Sequence, residues 1–347
     1  MTDTMLAARF FSDGRRLELM DVPIPEPGPL EVLVKVEACG ICLSDVHLID
    51  GSIPPVVENV IPGHESSGRV VKTGELVAGW SEGDYVSLMG GRPCTECMRC
   101  LSGRLDECLA LQIMGFHYDG AWAEYVAVPY YSLTRVPEHV PAEEAAILAD
   151  TVATPYAAIV ERGALRPGET VGIWGIGGLG THAVQIARLA GASFIVAVDP
   201  LPSARDRALK VGADAALDPL ADDFRAEVSR LTGGLGLDLT LDMVGANVVL
   251  KQAVGSLARN GRTVMVGLSM DHVELEPSLV LGVMSHAVLG HLGYGKKHLE
   301  DLVRLRANRR LDLSASISDV IPLTDVADGV RRLAEKDGDP VRIVIKP

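Results

Sequence analysis

The sequence predicts an α/β protein made of two unlike parts, an irregular β-barrel-like domain followed by a doubly wound parallel sheet. Three observations carry this expectation. The 347 residues are enough chain for roughly two domains of about 150 residues each. From the N-terminus to about Ala149, short β-rich runs are separated by Pro and Gly turns, the rhythm of an irregular barrel. After Pro167-Gly168 the pattern changes to strand–helix repeats, which imply parallel strands joined by crossover helices.

In the barrel-like part the clearest strands are 31–37, 68–72 and 85–88. In the second part, 170–174 reads as the first strand, 181–190 as its helix, 194–199 as the second strand and 203–211 as the next helix. The alternation continues through a strand at 237–242, a helix at 246–257 and a strand at 263–267, and 288–292 supplies a last strand. The tail carries helices at 297–306 and 326–335 and a closing strand at 341–345. Periodicity does not say where this tail docks. There is no internal repeat or low-complexity segment.

Hydrophobic residues make up 48% of the chain, which with the alternating pattern argues for a compact protein and against disorder. The formal charge of −14 argues against nucleic acid or an anionic membrane surface as a partner, because each needs a dense basic patch. No apolar run approaches the roughly 18 residues of a membrane span, and the first residues lack an apolar signal segment, so a cytoplasmic protein is expected. All six cysteines lie between Cys39 and Cys108, which fits metal coordination in a reducing compartment better than a disulfide framework.

Cys94, Cys97, Cys100 and Cys108 are spaced Cys-x2-Cys-x2-Cys-x7-Cys, close enough for four thiolates to converge on one tetrahedral Zn²⁺. An iron–sulfur cluster is the chemical rival. In the ferredoxin pattern, however, the fourth cysteine follows after three residues and precedes proline, whereas Cys108 follows after seven and precedes Leu109. Upstream, Cys42, His64 and Glu65 form a looser set of thiolate, imidazole and carboxylate groups.

The strand at 170–174 runs directly into Gly175-Ile176-Gly177-Gly178-Leu179-Gly180 and then a helix. In that context Gly-x-Gly-x-x-Gly reads as a dinucleotide-binding turn. Its first glycine permits the tight turn, its second lets backbone approach a pyrophosphate, and its third lets helix and strand pack closely. Asp199 ends the next strand, where a carboxylate accepts hydrogen bonds from the adenosine ribose and repels an extra phosphate. NAD is therefore expected, although Arg205 and Arg207 nearby leave NADP open.

These residues together resemble the zinc-dependent medium-chain alcohol dehydrogenases over essentially the whole length. The resemblance rests on the Gly-Ile-Cys-x-Ser-Asp-x-x-His segment ending at His47, Gly63-His64-Glu65, the four-cysteine lobe, Asp119 to Tyr125, the glycine turn and Val341-Arg342. It implies a GroES-like irregular β-barrel catalytic domain, residues 1–152 and 290–347, with a Rossmann NAD-binding domain, residues 153–289, inserted in it. It further implies a catalytic zinc held by Cys42, His64 and Asp150, with Glu65 close to the metal, and a structural zinc on the four-cysteine lobe, two per chain.

Many relatives carry cysteine where this chain has Asp150. Thiolate, imidazole and carboxylate leave Zn²⁺ formally neutral, so the first shell remains complete. By the same resemblance Ser44 takes the hydroxyl proton and passes it toward His47, while Asp45 orients His64. Thr154 lies under the nicotinamide carboxamide, and Arg342 reaches the pyrophosphate. Leu43 stands where some relatives have a cation for phosphate, and Gly90 where many have a bulky pocket residue, which hints at room for a branched or cyclic substrate. The activity implied is hydride transfer between NAD and an alcohol, secondary or cyclic favoured. Rivals are a polyol, amino-alcohol or acyl-CoA-linked hydroxy-compound dehydrogenase, or a zinc-free double-bond reductase. The expected partner is a small alcohol or carbonyl compound, in a homo-oligomer of two or four chains.

Overall fold

A computed structural model describes residues 3–270, 272–275 and 277–347. The chain divides into two compact units, one formed by the residues up to Ala153 together with Tyr294–Pro347 and the other by Thr154–Gly293.

The first unit begins with β1 (Thr4–Phe11), β2 (Arg16–Pro23) and β3 (Glu31–Ile41), then α1 (Leu43–Asp50), β4 (Asn59–Val60), β5 (Glu65–Thr73) and β6 (Tyr85–Leu88). The cysteine lobe carries β7 (Gly91–Arg92), α2 (Met98–Leu101) and β8 (Gln112–Ile113), and β9 (Tyr125–Pro129), β10 (Leu133–Arg135) and α3 (Ala142–Ile147) follow. β3 is the backbone of this unit. It pairs antiparallel with β5 and β9, and Val32, Val34, Val36, Ala38, Cys39 and Ile41 along it are all buried. It runs four residues past the expected strand because small residues continue the ladder, Ala38 opposite Ser67, Cys39 opposite Ser66 and Gly40 opposite Glu65.

The second unit takes in all of α4 (Ala153–Ala157) but its first residue and then builds β11 (Thr170–Trp174), α5 (Gly178–Leu189), β12 (Phe194–Val198), α6 (Pro202–Lys210), β13 (Ala215–Leu217), α7 (Phe224–Leu231) and β14 (Leu237–Asp242). It ends with α8 (Asn247–Val254), β15 (Leu257–Met265), α9 (Ser278–Met284) and β16 (Ala287–Gly290). The strands pair in the order β13-β12-β11-β14-β15-β16, every pair parallel. This is a doubly wound sheet whose order reverses between β11 and β14.

Val171, Ile173, Ile195 and Val196 are fully buried, as expected of strands covered on both faces. β13, α7 and α9 have no counterpart in the sequence reading, because each is short and lacks a clean apolar period. The helix expected at 246–257 stops at Val254, where Gly255 and Ser256 break it, and Leu257 already belongs to β15.

The tail supplies α10 (Lys296–Ala307), β17 (Asp319–Pro322), α11 (Val326–Glu335) and β18 (Ile343–Lys346). β18 returns to the first unit and lies antiparallel to β3, with Ile343 opposite Ile41 and Val344 opposite Gly40. The docking place that periodicity left open is thus the other edge of β3. No helix among the described residues is long and apolar enough to cross a membrane.

Candidate active site

Because β5 and β18 both run antiparallel to β3, the end of β3 meets the start of each neighbour. Cys42, which follows β3, therefore lies beside His64 and Glu65 at the start of β5 and Arg342 just before β18. Residues far apart in sequence converge through register alone. Asp150 is brought in by the kinked π-turn segment Leu148–Val152.

Donor atoms of Cys42, His64, Glu65 and Asp150 all lie within 4.8 Å of one another. Cys42 Sγ is 3.5 Å and His64 Nε2 3.4 Å from Asp150 Oδ2. Around tetrahedral Zn²⁺, with Zn–S about 2.3 Å and Zn–N or Zn–O about 2.1 Å, donor–donor edges are about 3.4–3.6 Å. The three donors therefore stand at metal-ligand spacing. Asp150 holds φ 55° and ψ −70°, a sparsely populated positive-φ conformation that persists only where the surroundings impose it.

The other ring nitrogen, His64 Nδ1, faces Asp45 Oδ1 at 3.3 Å, and Asp45 Oδ2 accepts the Cys42 backbone N–H at 2.9 Å. Asp45 thus lies against the His64 ring and ties down the Cys42 backbone. Ser44 Oγ lies 3.4 Å from His64 Nε2, and His47 follows one turn later on α1. Glu65 Oε1 accepts from Thr151 Oγ1 at 2.6 Å and is 3.4 Å from Arg342 Nη2, while Arg342 Nη1 donates to the Ile41 carbonyl at 2.6 Å. Gly40 is required beside this pair, because a Cβ there would overlap the Glu65 carboxylate.

The electrostatics point to a cation. Burial, with Arg342 opposing and Asp150 adding, pushes the Glu65 carboxyl up to about 7. Burial and then Asp150 raise the Cys42 thiol. Burial alone would lower the His64 pKa, but Asp45, Asp150 and Cys42 outweigh it and raise it well above the usual value. Glu65 Oε2 is buried without a hydrogen-bond partner. Two carboxylates and a thiol crowded about one imidazole are the environment that Zn²⁺ neutralises, so the donor set fits the metal.

In the lobe, Cys94, Cys97, Cys100 and Cys108 likewise converge, with Sγ–Sγ distances of 3.9 Å for Cys94–Cys100 and 3.5 Å for Cys97–Cys100. A disulfide needs about 2.05 Å, whereas the edge of a Zn–thiolate tetrahedron is about 3.8 Å. Backbone N–H groups of Cys97 and Cys94 point at Cys94 Sγ and Cys108 Sγ, and those of Cys100 and Leu109 hold the Cys97 thiol down to about 6. This site too fits Zn²⁺.

The glycine turn lies at the switch between β11 and β14. Gly175 has φ 87°, and its N–H bonds the Val198 carbonyl at 2.8 Å. A Cβ on Gly180 would overlap the Gly175 carbonyl, whereas Gly177 faces open space. Gly178 and Leu179 open α5, whose N-terminal N–H groups are available to an anion. Asp199 Oδ2 accepts from Ile176 N at 2.7 Å and Oδ1 from Leu201 N at 2.9 Å, which leaves each oxygen a further lone pair. Arg207 donates to the Ile176 carbonyl and Arg205 to the carbonyls of Asp199 and Pro200. Thr154 is buried at the start of the unit, its carbonyl 3.2 Å from His291 Nε2.

Three neighbours of the metal donors escaped sequence reasoning. Thr151 bonds Glu65, the Phe116 ring tilts against His64 at a centroid distance of 5.5 Å, and the Tyr294 hydroxyl accepts the Gly90 N–H at 3.4 Å. Only Thr151, adjacent to Asp150, carried any signal.

Comparison with known proteins agrees with this geometry. The alcohol dehydrogenase GroES-like domain profile matches residues 28–138, and the zinc-binding dehydrogenase profile matches residues 178–308. An NAD-dependent alcohol dehydrogenase from Sulfurisphaera tokodaii is 36% identical over 82% of this chain and 90% of its own. An L-threonine 3-dehydrogenase from Pyrococcus horikoshii is 34% identical over 80% of this chain and 79% of its own. A zinc-binding dehydrogenase from Sinorhizobium meliloti, bound to NADP, superposes with a TM-score of 0.90 at 30% identity, covering 99% of this chain and 100% of the other. With both family domains matched in order and relatives at 34–36% identity over four fifths of the chain, the chain belongs to the zinc-binding alcohol dehydrogenase family of medium-chain oxidoreductases.

Proposed function

We propose that this oxidoreductase oxidises a secondary or cyclic alcohol to its ketone with NAD, and reduces the ketone in reverse. The observation that carries the reading is the Cys42, His64 and Asp150 cluster at metal-ligand spacing with Ser44 beside it. When bound, the metal acidifies the alcohol hydroxyl and the nicotinamide takes up the hydride. The protein's own residues do the rest. Asp45 holds His64 in one orientation, Ser44 receives the hydroxyl proton, and His47 carries it toward solvent. Glu65, paired with Arg342, would adjust the charge beside the Cys42, His64 and Asp150 donors. An enone reductase needs no such donor set, which disfavours that rival.

The same reading assigns two Zn²⁺ per chain, the second on the cysteine lobe as a fold-stabilising ion. It takes residues 1–152 and 290–347 as the catalytic domain and 153–289 as the nucleotide domain. It favours NAD over NADP, since Asp199 faces the glycine turn and Arg205 and Arg207 are engaged with backbone carbonyls. A homo-oligomer is supported by the open edge of β16 and by α9, which buries none of its residues and exposes Leu279 and Val283.

The test is NADH formation across primary, secondary, cyclic and polyhydroxylated alcohols, with NADP in parallel. Secondary or cyclic alcohols are expected to lead the panel. Cys42→Ser is expected to abolish turnover while retaining NAD affinity. A fully active Cys42→Ser variant refutes the assignment.

A further inference from the structure

Of the four donors that converge on the candidate metal site, Glu65 is surplus to an open one. Cys42, His64 and Asp150 already stand at metal-ligand spacing, and a fourth protein ligand would close the tetrahedral shell and leave no position for an alcohol. Yet a carboxylate oxygen of Glu65 lies within 4.8 Å of each of their donor atoms. What holds its two oxygens therefore decides whether the site stays open.

Oε1 accepts from the Thr151 hydroxyl at 2.6 Å and lies 3.4 Å from Arg342 Nη2. Oε2 rests over Gly40, the residue opposite Glu65 in the β3–β5 ladder, so closely that a Cβ on Gly40 would overlap it. The carboxylate is seated among Thr151, Arg342 and Gly40, and the two oxygens are held unequally. Oε2 is buried with no hydrogen-bond partner among the described residues, a cost that moving onto a cation would relieve. Oε1 carries the restraint, because an O–H···O contact of this length to a carboxylate belongs to the short, strong class. Arg342 is the looser of its two partners and also serves the Ile41 carbonyl. The Thr151 hydroxyl is the tighter hold.

The local backbone gives Thr151 this reach. Successive side chains of a regular helix point about 100° apart, but Asp150 leaves helical φ and ψ inside the segment Leu148–Val152. Two neighbouring side chains then both address the cluster, Asp150 Oδ2 at Cys42 and His64 and Thr151 Oγ1 at Glu65. One kinked turn supplies the third metal donor and restrains the fourth.

We propose that Thr151 is a positioning residue, a latch that holds the Glu65 carboxylate off the metal so that the fourth position stays open to substrate. This rests on the metal site and the alcohol oxidation proposed above. Released from Thr151, Glu65 would compete with the alcohol for that position from within the protein. Such competition raises KM more than it lowers kcat, and a fourth protein donor slows metal loss. The loss of one hydrogen bond to a charged group sets the scale at on the order of tenfold.

The test compares the zinc-loaded wild type with Thr151→Val, which exchanges the hydroxyl for a methyl group, and with Thr151→Ser, which keeps the hydroxyl. Zinc retained during incubation with excess EDTA is measured by mass spectrometry, and the release phase absent from Cys42→Ser is assigned to the Cys42, His64 and Asp150 donors. In Thr151→Val that phase is expected to slow by about tenfold, and KM for 2-butanol to rise by a similar factor with a smaller change in kcat. Thr151→Ser is expected to release zinc at the wild-type rate. In a Glu65→Ala background Thr151→Val should no longer slow release, because the competing carboxylate is gone. A phase that is unchanged or faster in Thr151→Val overturns the proposal, since a threonine that only packs would loosen the site when replaced; slowing that persists without Glu65 overturns it too. Should valine prevent folding, Thr151→Ala serves the same comparison. If wild-type zinc shows no phase that depends on Cys42, the metal reading fails and the latch with it. If that phase is present but 2-butanol is not oxidised, the alcohol reading fails alone, and the release rates still decide the role of Thr151.

Discussion

The backbone at Asp150 makes a quantitative prediction. Its φ of 55° and ψ of −70° carry a cost on the order of 1–3 kcal/mol for a residue with a Cβ. Alanine at 150 removes the carboxylate but retains that cost, whereas glycine removes both. The greater freedom of glycine in the unfolded chain opposes this by about 0.4–1 kcal/mol. Asp150→Gly should therefore be more stable than Asp150→Ala by a net of about 0.5–2 kcal/mol. At about 2–4 °C per kcal/mol for a domain of this size, that is a gap of about 1–8 °C in Tm. The assay is thermal unfolding in a chelator, followed by circular dichroism, so that both variants are compared without metal. An alanine variant that melts at or above the glycine variant refutes strain at this position. Adding Zn²⁺ should then raise the wild-type Tm by more than that of either variant, because both lack the third donor.

Two further outcomes test the other sites. On the proposed two zinc ions per chain, Cys94→Ser should remove one of two zinc equivalents measured by mass spectrometry and lower Tm, because a structural ion in the lobe would tie its loop together; a variant that keeps its Tm and changes only kinetics contradicts a structural role. Asp199→Gly should raise NADP use relative to NAD by about tenfold or more, the scale of one carboxylate–phosphate repulsion, and an unchanged ratio shows that another residue reads the ribose.

Much of the architecture was legible before any coordinates. The strand–helix alternation after Pro167-Gly168 is a local signal, and the parallel sheet realises it with strand cores where the apolar runs lie. Boundaries and short pieces were less legible. β3 continues past residue 37 through Ala38, Cys39 and Gly40, whose small side chains show no strand preference and are held in the ladder by β5. β13 is three residues long, too short to present a period of its own.

The sequence by itself determined whatever is encoded within one turn or one loop. The four cysteines meet because seven residues at most separate neighbours, and the glycine turn presents backbone groups that the glycines themselves position. Only the tertiary structure decided what depends on strand register. Cys42, His64 and Arg342 meet because β5 and β18 run antiparallel to β3 on either side, and that arrangement is set by the summed packing of the whole sheet. The same holds for Tyr294, which reaches Gly90 across 204 positions. A contact of that span leaves no local pattern in the sequence, because it depends on how the tail folds back onto the first unit.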